Sequence, residues 1–404
     1  MNYQFPVIRN ISDVLPAIEG RSEFVVAVKD GYTVINYNVM FEDTFPPVIE
    51  WSEQLNKLAF TDAKHAATRR ECRGIIFDNE TGDILRRPYH KFFNVNERPE
   101  TENVPLYEDH IILDKLDGSM IAPFFNRAVL VFGTKMGATD VAKPVEEFVN
   151  NNPHYIDFSR DLIENGFTPI FEWCSRKQRI VLDYPEDRLI LTAIRNMERG
   201  SYIINLHNNY PIIEKYNIPI VKSFPSQEHI NGLIEHTRDL QDTEGFVVRF
   251  DNGHMVKLKC DWYVQIHKAK ERILQDRHIV ELILDQKLDD VKAHLPQEER
   301  DRLSQFENDF NKVIHPLALS IVSQVSNCRR IGGMDRKTFA TTYANKMSGL
   351  NRSIAFAMWD EVLYVDAVSV CEQKIYNTIR KNLAKTSKYE EIRAEWFPGV
   401  IYNA

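Results

Sequence analysis

The feature that most restricts the fold of this chain is a change of hydrophobic period between residues 260 and 270. Upstream, short β-rich runs recur: Phe24-Val25-Val26-Ala27-Val28, Thr33-Val34-Ile35-Asn36-Tyr37, Gly74-Ile75-Ile76-Phe77, Ala128-Val129-Leu130-Val131-Phe132 and Gly245-Phe246-Val247-Val248-Arg249-Phe250. Lys-Asp-Gly, Asn-Glu-Thr-Gly and Asp-Asn-Gly segments lie between them, and these favour tight turns between antiparallel strands. Helices are expected near residues 61–68 and 141–150, where apolar residues recur at helical intervals. Downstream, Ile273, Leu274, Ile279, Val280, Leu282, Ile283 and Leu284 are set among charged residues, and amphipathic stretches follow over 298–310, 316–325, 336–346, 354–363 and 370–383. This pattern predicts an α+β, antiparallel-sheet domain over residues 1–265 followed by an all-helical domain over 266–404.

A length of 404 residues suits two domains, and 43% hydrophobic with 27% charged residues lies within the globular range rather than the disordered one. The net charge of -8 gives no global basic field, so any surface for a polyanion must be local. Five scattered cysteines without a C-x-x-C pair argue against structural zinc and against a disulfide framework, and they fit a reducing compartment. With no run of about 18 apolar residues and no secretory leader, the expectation is a cytoplasmic protein without a membrane association.

The chemistry concentrates in Ile111-Ile112-Leu113-Asp114-Lys115-Leu116-Asp117-Gly118-Ser119. An apolar run delivers a lysine to a strand end, and the Asp-Gly turn that follows lets backbone approach a ligand closely. A nucleophilic lysine must lose its proton, which neighbouring cations favour. Arg249, Lys257 and Lys259 are candidates, and Val256-Lys257-Leu258-Lys259 alternates so that both lysines share one strand face, an arrangement that suits a polyphosphate. Glu172 and Glu244 each sit against apolar strand sequence, where an acid needs a donor, a metal or a structural arginine. His90, His254 and His267 form no ligand set, and Cys72 and Cys174 read as small buried apolar groups.

Lys115-x-Asp117-Gly118, Phe171-Glu172, Glu244-Gly245-Phe246-Val247-Val248 and Val256-Lys257-Leu258-Lys259 resemble, in order and spacing, motifs I, III, IV and V of the covalent nucleotidyltransferases. That superfamily contains polynucleotide ligases and messenger-RNA capping enzymes. Within it the chain is similar to the phage-type RNA ligase 1 family of tRNA-repair ligases. Glu71-Cys72-Arg73-Gly74-Ile75-Ile76-Phe77, Arg87 through Glu97, Ile35-Asn36-Tyr37-Asn38 and Lys259-Cys260-Asp261-Trp262-Tyr263 carry that likeness.

The resemblance implies that Lys115 attacks the α-phosphorus of ATP to form a lysyl-AMP, which is passed to an RNA 5′-phosphate and displaced by a 3′-hydroxyl. It assigns Tyr37, Arg73 and Lys91 to ATP contacts, Glu172 to the ribose, and Lys257 and Lys259 to the α-phosphate. Asp117, Glu244 and Asp289 are implied to lie near Mg²⁺, with Mn²⁺ as a substitute, while Gly118, Lys135 and Tyr263 match further family positions. The implied partners are RNA ends, among them a cleaved tRNA anticodon loop, and a separate end-healing kinase or phosphatase; a monomer is expected, in the host cytoplasm if the chain is viral. A DNA ligase, a capping-type enzyme and a non-catalytic RNA-binding protein on the same fold are the alternatives, although the first two would carry an OB-fold of strands where this sequence reads helical. From residue 301 onward, 14 Lys plus Arg face 11 Asp plus Glu, with Arg329-Arg330-Ile331-Gly332-Gly333 and Arg380-Lys381-Asn382-Leu383-Ala384-Lys385 as candidate basic patches.

Overall fold

The computed structural model describes residues 4–48, 57–204, 206, 211–227, 229–331, 334–364 and 366–402. The chain forms two compact units, Met1–Val264 and Gln265–Ala404.

The first unit is built on three sheets. The first has the order β1 (Phe24–Val28), β2 (Tyr32–Tyr37), β3 (Ile75–Asp78) and β4 (Ile84–Arg86), all antiparallel. With β5 the pair Phe93–Asn94 and β6 the segment His110–Asp114, the second sheet is β7 (Ser119–Asn126), β8 (Val129–Gly133), β9 (Phe167–Cys174) and β10 (Arg188–Asn196), in the order β10-β9-β7-β8. The third adds β11 (Ser223–Phe224), β12 (Gly245–Phe250) and β13 (Met255–Lys259), in the order β11-β6-β12-β13-β5, where only the β13–β5 pair is parallel. Gly31 and Gly253, at φ of 87° and 92°, sit in the turns that the Lys-Asp-Gly and Asp-Asn-Gly segments predict. The helices Lys57–Glu71 and Lys143–Asn151 overlap the two predicted stretches, and His154–Glu164 packs a further buried face onto β9.

Each sheet contributes a core. Phe158, Phe171, Trp173, Leu189 and Leu191 pack with Val145 and Val149 beside β9, while Val248, Phe250, Val256 and Leu258 pack with Leu233 beside β12. A buried ionic cluster ties these parts together. Glu71 accepts from Arg87 Nε at 3.0 Å and from Arg195 Nη2 at 2.8 Å, and all three side chains are at most 1% exposed. The remaining guanidinium donors reach the carbonyls of Pro6, Pro88, Met197, Glu198 and Gly200, so each guanidinium nitrogen of this cluster has a hydrogen-bond acceptor.

The second unit is helical. Residues 266–288 do not form one helix; Asp261–Arg272, Asp276–Leu284 and Leu288–Lys292 are separate, because Gln275 and Lys287 leave helical backbone. The stretches 298–310 and 316–325 instead fuse into one helix, Gln297–Arg329, that runs through Pro316. Its buried stripe, including Phe306, Phe310, Ile314, Ile321 and Val325, packs against Ile375 and Ile379 of Ala367–Asn382, and this tertiary burial outweighs the hydrogen bond that the proline forgoes. Among the described residues no helix is long and apolar enough to cross a membrane.

Candidate active site

Antiparallel neighbours alternate in direction, so the end of one strand lies beside the start of the next. β6 ends at Asp114 opposite Phe246, and the Lys115 N–H still donates to the Gly245 carbonyl at 2.9 Å. β12 starts at Gly245, which places Glu244 beside the lysine, and β13 ends at Lys259 opposite Gly245. Lys115 therefore meets, at one end of the strands, the open end of a hairpin that lies far downstream in sequence. Glu244 Oε1 lies 2.6 Å from Lys115 Nζ and 3.0 Å from Lys259 Nζ. The carboxylate is buried, and both ammonium groups reach outward from it.

These lysines open into a cavity of about 560 Å³, within the range of small-molecule sites. Arg73, Lys91, Lys115, Lys135, Lys257 and Lys259 line it, as do Tyr37, Gly118 and Glu172; the acids among its lining are Asp114 and Glu172. Each sheet supplies part of the wall. Tyr37 closes β2, with Lys91 Nζ 3.4 Å from its hydroxyl. Arg73 follows the helix Lys57–Glu71, and Gly74, at φ 89°, lets that turn meet Lys135 closely; an added Cβ would stand 2.6 Å from the Lys135 carbonyl oxygen. Gly118 does the same for the lysine loop, since a Cβ there would stand 2.3 Å from the Trp173 carbonyl oxygen, next to Glu172. Met120 pairs with Glu172 across β7 and β9.

The electrostatics are those of a site prepared for an anion. Burial, with Lys91, Lys115 and Arg73 adding repulsion, pushes Lys257 down to about 7. No ion pair or hydrogen bond holds its ammonium among the described residues; the Phe92 ring lies 5.4 Å away. Arg73 Nη1 is buried without a hydrogen-bond partner. Burial pushes Glu172 up to about 7 even with Lys115 nearby, because Glu244 and Asp117 oppose a further negative charge. Burial also tends to raise the Tyr37 phenol, but Lys91 and Arg73 outweigh it and the net shift is downward.

Asp117 has a different environment. Its Oδ2 accepts from the backbone N–H groups of Val181 and Leu182, both at 2.7 Å, and its Oδ1 accepts from the Tyr263 hydroxyl at 2.7 Å. The Asp117 N–H donates to the Tyr184 hydroxyl at 3.0 Å. Asp117 and Tyr263 thus pin the lysine loop to the 181–184 segment and to the first turn of Asp261–Arg272, and neither lines the cavity. Asp289 belongs to the second unit, on Leu288–Lys292, where its exposed carboxylate lies 3.6 Å from Lys292 Nζ. It is not among the lining residues. Among the described residues no cluster of three or more His, Cys, Asp or Glu side chains forms a metal cage.

Arg249 also departs from expectation. Instead of joining the cations around Lys115 it is 2% exposed, with Tyr89 and Tyr202 nearby and no partner for either terminal nitrogen among the described residues. Thr192, to which the sequence assigned no role, lines the cavity at the β10 irregularity between Leu191 and Ala193, where a change of register re-aims side chains. Its hydroxyl donates to the Ile170 carbonyl at 2.9 Å. Asp114 and Tyr89 were likewise not singled out, although Asp114 directly precedes the lysine; burial raises its carboxyl. His90 is buried against the Tyr202 hydroxyl, and burial pushes His254 down to about 4, which keeps both rings neutral. All five cysteines are buried.

The family model described as RNA ligase matches residues 71–263. A protein of Thermovibrio ammonificans named "Putative RNA ligase" is 31% identical over 292 residues, covering 70% of this chain and 71% of that protein. RNA ligase 1 of bacteriophage TS2126 is 27% identical over 248 residues, covering 56% of this chain and 58% of its own length. Among solved structures, an archaeal ATP-dependent RNA ligase aligns with 90% of this chain and 78% of its own, at 10% identity and a TM-score of 0.43.

Proposed function

Because the chain belongs to the RNA ligase family, we propose that it is an ATP-dependent RNA ligase in which Lys115 carries AMP between ATP and an RNA 5′-phosphate. The observation that carries this reading is the convergence of Lys115, Glu244 and Lys259 beside a cavity whose other cations, Arg73 and Lys257 above all, lack an acidic partner among the described residues. An unpaired buried cation is costly, and a polyphosphate is the kind of ligand that would offset it.

In the first step the Lys115 amine forms a bond to the α-phosphorus while the bond to the pyrophosphate oxygen breaks. The amine must be neutral, and Glu244, 2.6 Å away, is an acceptor within reach of its proton. Lys257 and Lys259 offset charge on the α-phosphate, and Tyr37, Arg73 and Lys91 take the outgoing phosphates. Glu172, which burial pushes up to about 7, would meet the ribose hydroxyls. An RNA 5′-phosphate oxygen then attacks the lysyl phosphorus and frees Lys115, and a 3′-hydroxyl displaces AMP to form the phosphodiester.

Mg²⁺, or Mn²⁺ in its place, would supply charge neutralisation on the phosphates, and Glu244, beside Lys115 and Lys259, would face it together with substrate oxygens and water. Asp117 has both oxygens engaged, so its role is to hold the loop in place, with any metal contact passing through water. Asp289, exposed beside Lys292 in the second unit, is assigned no part in this step. The helical segment after β13 stands where a DNA ligase or capping enzyme would place the strands of an OB-fold, which favours RNA joining. The substrate we favour is a broken RNA such as a cleaved tRNA anticodon loop, healed beforehand by a separate kinase or phosphatase.

Incubation with α-labelled ATP and magnesium tests the scheme. The wild type acquires covalent label and Lys115→Ala acquires none; equal labelling, or no label on either, removes the covalent lysine from the mechanism.

A further inference from the structure

The loop that follows β2 exposes three successive apolar side chains. Val39, Met40 and Phe41 are 48%, 42% and 54% exposed. A contiguous apolar run left in water calls for a binding role.

The loop is anchored at both ends. Tyr37 lines the cavity and packs edge-on against Phe45 at 5.1 Å, while Phe45 is buried against Phe24 and Phe93. The Asn38 N–H donates to the Glu23 carbonyl at 2.9 Å, and the Phe41 N–H donates to Thr44 Oγ1 at 2.9 Å. Arg98 Nη1 donates to the Glu42 carbonyl at 3.2 Å. Phe41 is therefore presented from a held backbone, which lowers the entropy lost on binding.

What lies at the base of this loop is cationic. Lys91 Nζ sits 5.2 Å from the Tyr37 ring centroid, 5.9 Å from that of Phe45 and 4.9 Å from that of Phe93. Arg73 lines the same cavity and keeps a buried nitrogen without a partner. The acids on the loop are Glu42 and Asp43, and Asp43 is 3.3 Å from Arg21 Nη1. Exposed aromatic and aliphatic side chains on a loop that begins at a cavity-lining tyrosine, with cations in that cavity, are the combination that single-stranded nucleic acid uses, with a base on the ring and phosphates on the cations.

We propose that Phe41, flanked by Val39 and Met40, is the stacking platform for the terminal base of the RNA strand whose 5′-phosphate enters the cavity. This rests on the ligase reading above. The platform determines how RNA is held and leaves ATP binding to the cavity.

The test uses a short 5′-phosphorylated oligoribonucleotide with a 3′ fluorophore, a matching oligonucleotide whose 5′ nucleotide is abasic, and wild type, Phe41→Ala and Phe41→Trp. Binding followed by anisotropy is expected to weaken about tenfold for Phe41→Ala with the intact strand and to recover in Phe41→Trp. The abasic strand should bind wild type and Phe41→Ala alike, and labelling by α-labelled ATP should be unchanged. Equal affinity of wild type and Phe41→Ala for the intact strand, or an equal loss with the abasic strand, overturns the proposal. So does loss of self-association in Phe41→Ala at unchanged RNA affinity, which would assign the patch to a second copy of the chain. A wild type that takes no label defeats the lysyl-AMP scheme, whereas the anisotropy comparison still decides the platform.

Discussion

At the scale of single residues, the site is governed by which charges are paired and which are left open. Glu244 compensates two lysines, yet Lys257 has been moved out of water with no carboxylate in contact. Burial favours its neutral form, so below about 7 its retained proton opposes folding, and that penalty fades as pH rises from about 7 toward the ordinary lysine value. For a bound polyphosphate the sign reverses, because the ligand needs the cation. ATP affinity should therefore fall as pH climbs through about 7, and Lys257→Arg, whose guanidinium stays charged, should move that fall out of the neutral range. KM for ATP measured across pH in both proteins checks this; parallel profiles would remove Lys257 as the titrating group. The place of Lys115 at a strand end was legible because an apolar run stops at it and an Asp-Gly turn follows. The engagement of Asp117 by Val181, Leu182 and Tyr263 was not, since those partners lie far away in sequence and two of them act through backbone. Arg249 was misread for a related reason: strand alternation tells which face a side chain takes but not where along that face the cavity ends.

At the scale of elements, the sheet runs were readable because alternation and turn chemistry point to the same boundaries, whereas helix ends in the second unit were not. The 33-residue helix Gln297–Arg329 continues through Pro316, where the sequence pattern suggests the start of a second stretch, because its buried stripe continues on both sides. Pro316 itself is exposed. Pro316→Ala restores an N–H to the helix without disturbing a packed contact, and should stabilise the protein by about 1–2 kcal/mol after allowing for the freer unfolded chain. A higher denaturant midpoint at unchanged slope is the expected readout. The Glu71 cluster joins the helix Lys57–Glu71 to β10 and to the Pro6 segment. Arg195 and Arg87 overcome the burial penalty and hold the Glu71 carboxyl below its ordinary value, so its contribution is present above the unfolded pKa and is lost as pH falls through the lower folded one. Glu71→Ala leaves two buried arginines uncompensated and should cost about 3–5 kcal/mol, read as a large drop in thermal midpoint at neutral pH. A shift of only a degree or two would mean that water replaces the carboxylate.

At the scale of the whole molecule, a chain with a net charge of -8 concentrates, among the described residues, six cations in the lining of one cavity against two acids, a local reversal that composition hides. Every residue that lines the cavity lies between positions 37 and 259, and Tyr263 is in the first turn of the helix that follows. A chain ended after residue 275 keeps that helix and should still label at Lys115, while losing joining of cleaved tRNA more than joining of linear RNA. Loss of label would show that the helical unit supports the first step, and equal loss on both substrates would argue against a tRNA-specific role. The meeting of three strand ends at Lys115, Glu244 and Lys259 carries one more consequence. Lys115 is synthesised early, but its counter-ion and the neighbouring lysine emerge from the ribosome more than a hundred residues later. A nascent chain stalled before residue 259 has the lysine without the strand that completes its surroundings, so covalent labelling of stalled chains would time the closure of the sheet during translation.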